Sequence, residues 1–234
     1  GGYGHGLEPD HHTPTSSVLS TNLALEILTD AGAAPEVTQP AIDFLISTWD
    51  EANEIWPIVP PDTPEYPCAP WWKTPRPVDH AMFNPSFECL GYLISHERRG
   101  GDVHGFPVDE VLGRFLDRLP DPGAQVEGHD VLCIVRLAGA HRLGIETRDA
   151  LLDLLRSWMR GAIETDPAKW SSYCNKPLDV VHSPASPFRD EFADVMQEAI
   201  DWELARQGSD GSWAPHWEWY GTEDHEAWAN ARLH

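Results

Sequence analysis

The chain lacks any uncharged apolar run near the roughly 18 residues that a membrane helix needs. Its longest apolar stretch, residues 131–140, is short and broken by Arg136. No basic or apolar leader is visible at the start, which reads Gly1-Gly2-Tyr3-Gly4, so no signal peptide is expected there. Cysteine is scarce. Cys68, Cys89, Cys133 and Cys174 are far apart and form no C-x-x-C pair, which excludes a zinc ribbon or disulfide scaffold and predicts a reducing, cytoplasmic setting. Basic residues are few: 16 against 38 acidic ones, for a net charge of −22. A nucleic-acid backbone would be repelled, so no nucleic-acid partner is expected. The acids are spread along the chain rather than blocked, as on a solvated, soluble surface.

Alternating apolar and polar residues of the strand kind are missing too. So are the G-x-S-x-G, P-loop and H-E-x-x-H strings that announce a nucleophile, a phosphate cradle or a zinc site. Asp190-Glu191-Phe192-Ala193-Asp194 is the nearest approach to an aspartate-rich metal motif. It opens an amphipathic stretch, where acids favour the helix dipole. His129, Asp130 and Cys133 lie close together without a zinc-ligand spacing. Neither a metal nor another cofactor is therefore expected.

What the chain has in plenty is tryptophan, eleven in 234 residues, many in Pro- or Gly-rich segments. Its apolar residues recur at helical spacing. Thr13-Pro14 reads as the N-cap and first position of a helix carrying Leu19, Leu23 and Ile27 and ending near Gly32. Further helices are expected on Ala41, Phe44, Leu45, Thr48, Trp49 and Ala52; within 83–96; from Pro107 to Leu119; over 126–143; and from a Thr147 cap through Met159. One more should follow Ser186-Pro187, and a last should begin near Thr222. Residues 57–77 and 169–187 are irregular excursions, rich in proline. These elements make an all-α protein of about eight helices.

Two Gly-rich turns carrying an aromatic, Gly1-Gly2-Tyr3-Gly4-His5 and Gln207-Gly208-Ser209-Asp210-Gly211-Ser212-Trp213, each lead into a predicted helix, as one repeated supersecondary unit would. The second, with Trp217 beyond it, resembles the QW motif of squalene-hopene cyclases and related terpenoid cyclases. The first resembles the turn of the prenyltransferase/squalene-oxidase repeat. The resemblance implies an α/α toroid, with inner and outer helices around a central cavity, as a single domain over residues 1–234. Flanking helices would be missing at both ends. It also implies a structural role for Gln207, Gly211 and Trp213. The D-x-D-D acid of the class II cyclases does not occur here, so a proton donor must be sought elsewhere.

Three segments carry the candidate site residues. The first loop holds His5, Glu8, Asp10, His11 and His12, carboxylates beside histidines that suit acid–base work. Trp71 and Trp72 sit in a proline-locked string, a rigid platform for a hydrophobic chain, a cation or a sugar face. The third runs from Trp170 to Ser186, with Tyr173, Asp179 and His182; Asp179 and His182 are three apart, as an acid–base pair could be. The catalytic candidates are thus Glu8, Asp10, Asp179 and His182. The substrate-binding candidates are His5, Trp56, Trp71, Trp72, Trp170, Tyr173 and Trp217. These loops are expected to converge at one end of the toroid. The function implied is a terpenoid-cyclase-like or isoprenoid-binding protein, its small hydrophobic ligand in an aromatic-lined cavity with an acidic proton donor. The alternatives are a carbohydrate-active toroid of glycosidase or lyase type, or a non-catalytic binding module.

Overall fold

The structure, a computed structural model, describes residues 1–4, 7–8, 10–73 and 82–214. Among these the protein is all-helical, with seven α-helices and no strand beyond two isolated bridges, His11 to Cys68 and Asp50 to Ile55. The helix expected from Thr222 lies outside the described residues. No helix among the described residues is long and apolar enough to cross a membrane. Among the described residues the chain divides into two compact units, one of Gly1–Arg118 with Gly139–Leu143, the other of Leu119–Ala138 with residues 144–214.

In the first unit, helix α1 is Val18–Asp30, and its N-cap is Ser17 rather than Thr13. Ser17 Oγ accepts from Ser20 N at 3.0 Å. The chain from Thr13 to Ser17 stays out of the helix while Ser17 N donates to Tyr3 O at 2.9 Å. Tyr3 N in turn donates to Thr21 Oγ1 at 3.0 Å. A tertiary contact thus chooses between two capping candidates. The buried face also differs from the expected stripe. Val18, Thr21, Asn22 and Leu25 turn inward, whereas Ile27 is 53% exposed. Polar residues occupy half of that face, which is why apolar spacing misplaces it. Two of them are matched: Thr21 Oγ1 donates to Ser17 O at 2.7 Å, and Asn22 pairs with the Cys89 thiol at 3.3 Å.

Helix α2 is Pro35–Ser47, opened by Pro35 in its first turn. It ends before Thr48 and Trp49, because Asp50 Oδ1 accepts from Ala52 N and Asn53 N and closes a turn. Helix α3, Ser86–Arg98, is buried over most of its length and packs against α1, α2 and α4 (Val108–Leu116). The core there is aromatic: Trp49 and Trp56 ring centroids are 4.3 Å apart, and Phe87 lies 4.9 Å from Phe115. The expected excursion over residues 57–77 contains two 3-10 turns, Thr63–Glu65 and Pro70–Trp72. It builds a small core of its own from Ile55, Ile58, Cys68, Ala69 and Trp72.

In the second unit, α5 (Gly128–Ala138) packs on α6 (Ile145–Ala162). Gly144, not Thr147, precedes α6; Thr147 stands in its first turn. Leu151, Leu155, Trp158 and Met159 are its buried face. The chain then runs through 3-10 turns Pro167–Lys169, Pro177–Asp179 and Arg189–Phe192 before α7, Met196–Ala205. The helix expected directly after Ser186-Pro187 is therefore split, with Phe192 in a 3-10 turn. Trp213 Nε1 donates to Glu203 O at 2.7 Å, capping the exposed carbonyl end of α7. Gln207 Nε2 closes its own turn on Gly211 O at 3.0 Å.

Candidate functional site

The sequence candidates fall in both units. In the first, the loop of Asp10 and the Trp71–Trp72 string do meet. Ala69 N donates to Asp10 O at 2.7 Å, His12 N donates to Pro67 O at 2.9 Å, and the buried His11 ring stands edge-on to Trp72 with centroids 6.4 Å apart. Glu8 folds back to accept from Asp10 N at 3.2 Å. Trp72 is buried in the small core and Trp71 is 45% exposed. Trp56 is fully buried, its Nε1 donating to Leu45 O at 2.7 Å, so its indole is a core group. His5 and Trp217 lie outside the described residues.

The third candidate segment belongs to the second unit. Trp170 is fully buried there, its Nε1 donating to Glu164 O at 2.8 Å, and meets Trp202 edge-on at 5.9 Å. Asp179 Oδ2 accepts from Lys176 N at 2.7 Å and so shapes its own 3-10 turn, while His182 is exposed. Tyr173 differs from these. It is 65% exposed and lines an open cleft of about 310 Å³.

That cleft is built from the N-terminus of α5, the C-terminus of α6 and the segment around Tyr173. Glu127 immediately precedes α5: its carbonyl accepts from Val131 N at 3.1 Å. Its carboxylate turns back on the helix, with Oε2 accepting from His129 N at 2.9 Å and Oε1 from His129 Nδ1 at 2.8 Å. Carboxylates are favoured at such a helix start. Opposite, His129 Nε2 lies 2.8 Å from Tyr173 Oη, and the two rings are 27° from parallel. An ionised carboxylate only accepts, so Nδ1 carries a proton, and in the neutral imidazole Nε2 then accepts from the Tyr173 hydroxyl. Gly128 lies directly beneath the Asn175 side chain, where a Cβ would collide with the amide nitrogen. Asn175 O also accepts from Glu164 N at 2.8 Å, fixing that wall.

The charges of the cleft are mostly negative. The His129 hydrogen bond is the largest influence holding Glu127 below the usual glutamate range; burial opposes it, and the His129 charge and backbone N–H groups of His129 and Asp130 add to it. Glu164 is lowered as well, chiefly by the backbone N–H of Asp166, with Lys169 Nζ 3.1 Å from its Oε2. Arg160 also lines the cleft, but its guanidinium pairs with Asp194 at 2.8 Å and with the Glu191 carbonyl. Burial pushes the Cys174 thiol up. Among the described residues, no group of three or more His, Cys, Asp or Glu side chains is placed to hold a metal ion.

Sequence reasoning singled out Tyr173 but not Glu127, and it set His129 aside after testing it only as a metal ligand. The Glu127–His129 spacing was visible; the partner 44 residues away was not. No family model, curated protein or solved structure matches this chain.

Proposed function

We propose that the protein binds a small, neutral, hydroxyl-rich ligand, such as a sugar, in the polar cleft of the second unit. The observation that carries this reading is the lining: two ionised carboxylates, Glu127 and Glu164, beside the exposed ring of Tyr173. Carboxylates accept from ligand hydroxyls, and an aromatic face stacks on a sugar ring. A diphosphate would meet like charge, in a protein whose net charge is already −22. We propose further that the scaffold is an α/α toroid of the prenyltransferase/squalene-oxidase repeat type. Helices packing in sequential pairs, α1 on α2 and α5 on α6, support it. So does the use of Gln207 and Trp213 in hydrogen bonds to the backbone.

Isothermal titration with a panel of neutral di- and trisaccharides tests the ligand. At least one should bind, and Tyr173→Ala should weaken it about tenfold or more, as losing a stacking anchor does. Trp71→Ala should leave it unchanged. Saturable binding of farnesyl or geranylgeranyl diphosphate, with none of the saccharides, would remove this reading in favour of the isoprenoid one. That alternative draws on Trp71, half-exposed beside the buried Trp72 in its proline-locked turn.

A further inference from the structure

We infer that the cleft is catalytic: Tyr173 is a nucleophile activated by His129 and Glu127, acting on small esters of a hydroxyl-bearing ligand. This rests on the reading of the cleft as a ligand site. It goes beyond that reading by assigning a reaction.

The geometry carries the assignment. A phenol is a weak nucleophile while it keeps its proton, and the group that must take the proton is a base within hydrogen-bond reach. His129 Nε2 is 2.8 Å from Tyr173 Oη, and in the neutral imidazole whose Nδ1 donates to Glu127 at 2.8 Å it presents a lone pair. Glu127 fixes the tautomer and would stabilise the imidazolium that forms, the part a carboxylate plays in any nucleophile–base–acid chain. Its second oxygen is anchored at His129 N, and turning the imidazole would break the ring's bonds to Glu127 and Tyr173. The nucleophile is at the mouth, exposed and in the wall of the cleft, where an ester can reach it. Asn175, two residues on and lining the same cleft, offers an amide donor for the oxyanion.

The step balances. Tyr173 Oη attacks the ester carbonyl carbon, and its proton passes to His129 Nε2. The carbon–oxygen bond to the alcohol breaks, and His129 returns the proton to the leaving alkoxide. The acyl-tyrosine is an aryl ester. Water attacks it, giving a proton to His129, which passes it back to Tyr173 as the acid leaves. Tyr173 is the catalytic residue; Glu127 is a positioning residue.

p-Nitrophenyl acetate is the probe, with acetylation of each tyrosine followed by peptide mass spectrometry. On the wild-type protein, Tyr173 should be acetylated faster than Tyr3 or Tyr66. Its rate should already rise well below the range in which a phenol without a base beside it ionises, about 10. His129→Gln and Glu127→Gln should slow acetylation of Tyr173 about a hundredfold and tenfold respectively. Both should leave the Tyr3 rate unchanged. A Tyr173 rate that follows phenol ionisation in the wild type, or that is indifferent to His129→Gln, overturns the proposal, whether or not saccharides bind. Saccharide binding with no selective acetylation leaves a binding cleft and removes the enzyme.

Discussion

His96 shows how one side chain can tie a unit together. It is buried on α3, where its Nε2 donates to Gln39 Oε1 at 2.8 Å and its Nδ1 accepts from Thr38 Oγ1 at 3.1 Å. Gln39 fixes the tautomer, because its own amide donates to Asp43 Oδ1 and Asp102 O, both at 2.7 Å. Gly101 lies against the ring so closely that any side chain there would enter it. Burial is the largest influence on the imidazole and lowers its pKa, against the charges of Asp43, Asp102 and Glu36. The folded state therefore holds His96 neutral at a pH where the unfolded chain, near 6.5, already takes up a proton. This contribution to stability is complete above about pH 6.5 and is lost as pH falls below it. Urea titrations at pH 8, 7, 6 and 5 should show the midpoint falling more steeply in the wild type than in His96→Gln. Parallel profiles would count against the assignment. None of this was legible in the sequence, where histidines were weighed by their neighbours: the partners of His96 are 57 and 58 residues away.

At the scale of the element, the existence of helices was legible and their ends were not. Apolar spacing marked α1, α2, α3, α5 and α6, since burial of one face leaves a 3.6-residue rhythm. Caps depend on where the incoming chain is held. Thr13-Pro14 is a good start signal by itself, yet Tyr3 holds the chain extended as far as Ser17. Ser17→Ala should therefore destabilise the first unit by about 1 kcal/mol, the usual loss for a cap. Thr13 is buried, and its hydroxyl has no hydrogen-bond partner among the described residues. Thr13→Val should be neutral or slightly stabilising, because it removes a desolvated polar atom at nearly constant shape. Denaturant unfolding of the two variants decides between the caps, and the reverse order would restore Thr13. The same reasoning limits Trp213. Its ring is 48% exposed, so its role is the cap on α7 and not the filling of a core. The cleft also belongs to this scale: Glu127 and His129 stand at the start of a helix that periodicity located, while Tyr173 comes from an excursion it could not describe.

At the scale of the whole molecule, composition was a sound guide to class. Helical rhythm throughout and no strand alternation gave an all-α protein, and all-α it is among the described residues. The division into two compact units was not legible, because it follows no linker: the short segment Gly139–Leu143, between α5 and α6, belongs with the first unit. Tertiary packing decides such a division, and helix patterns carry little of it. The scattered cysteines acquire a use from this arrangement. Cys89 is fully buried in the first unit, bonded to Asn22, and burial holds its thiol well above the ordinary range. Cys133 is buried on α5 in the second. Alkylation requires both a thiolate and a path for the reagent, so neither should react until its own unit opens. Cys174, partly exposed in the cleft, should be modified first under native conditions. Iodoacetamide labelling followed by peptide mapping would then time the opening of each half separately, and modification of Cys89 as fast as Cys174 would contradict the packing. Each unit carries a clock that starts only when its own core lets water in.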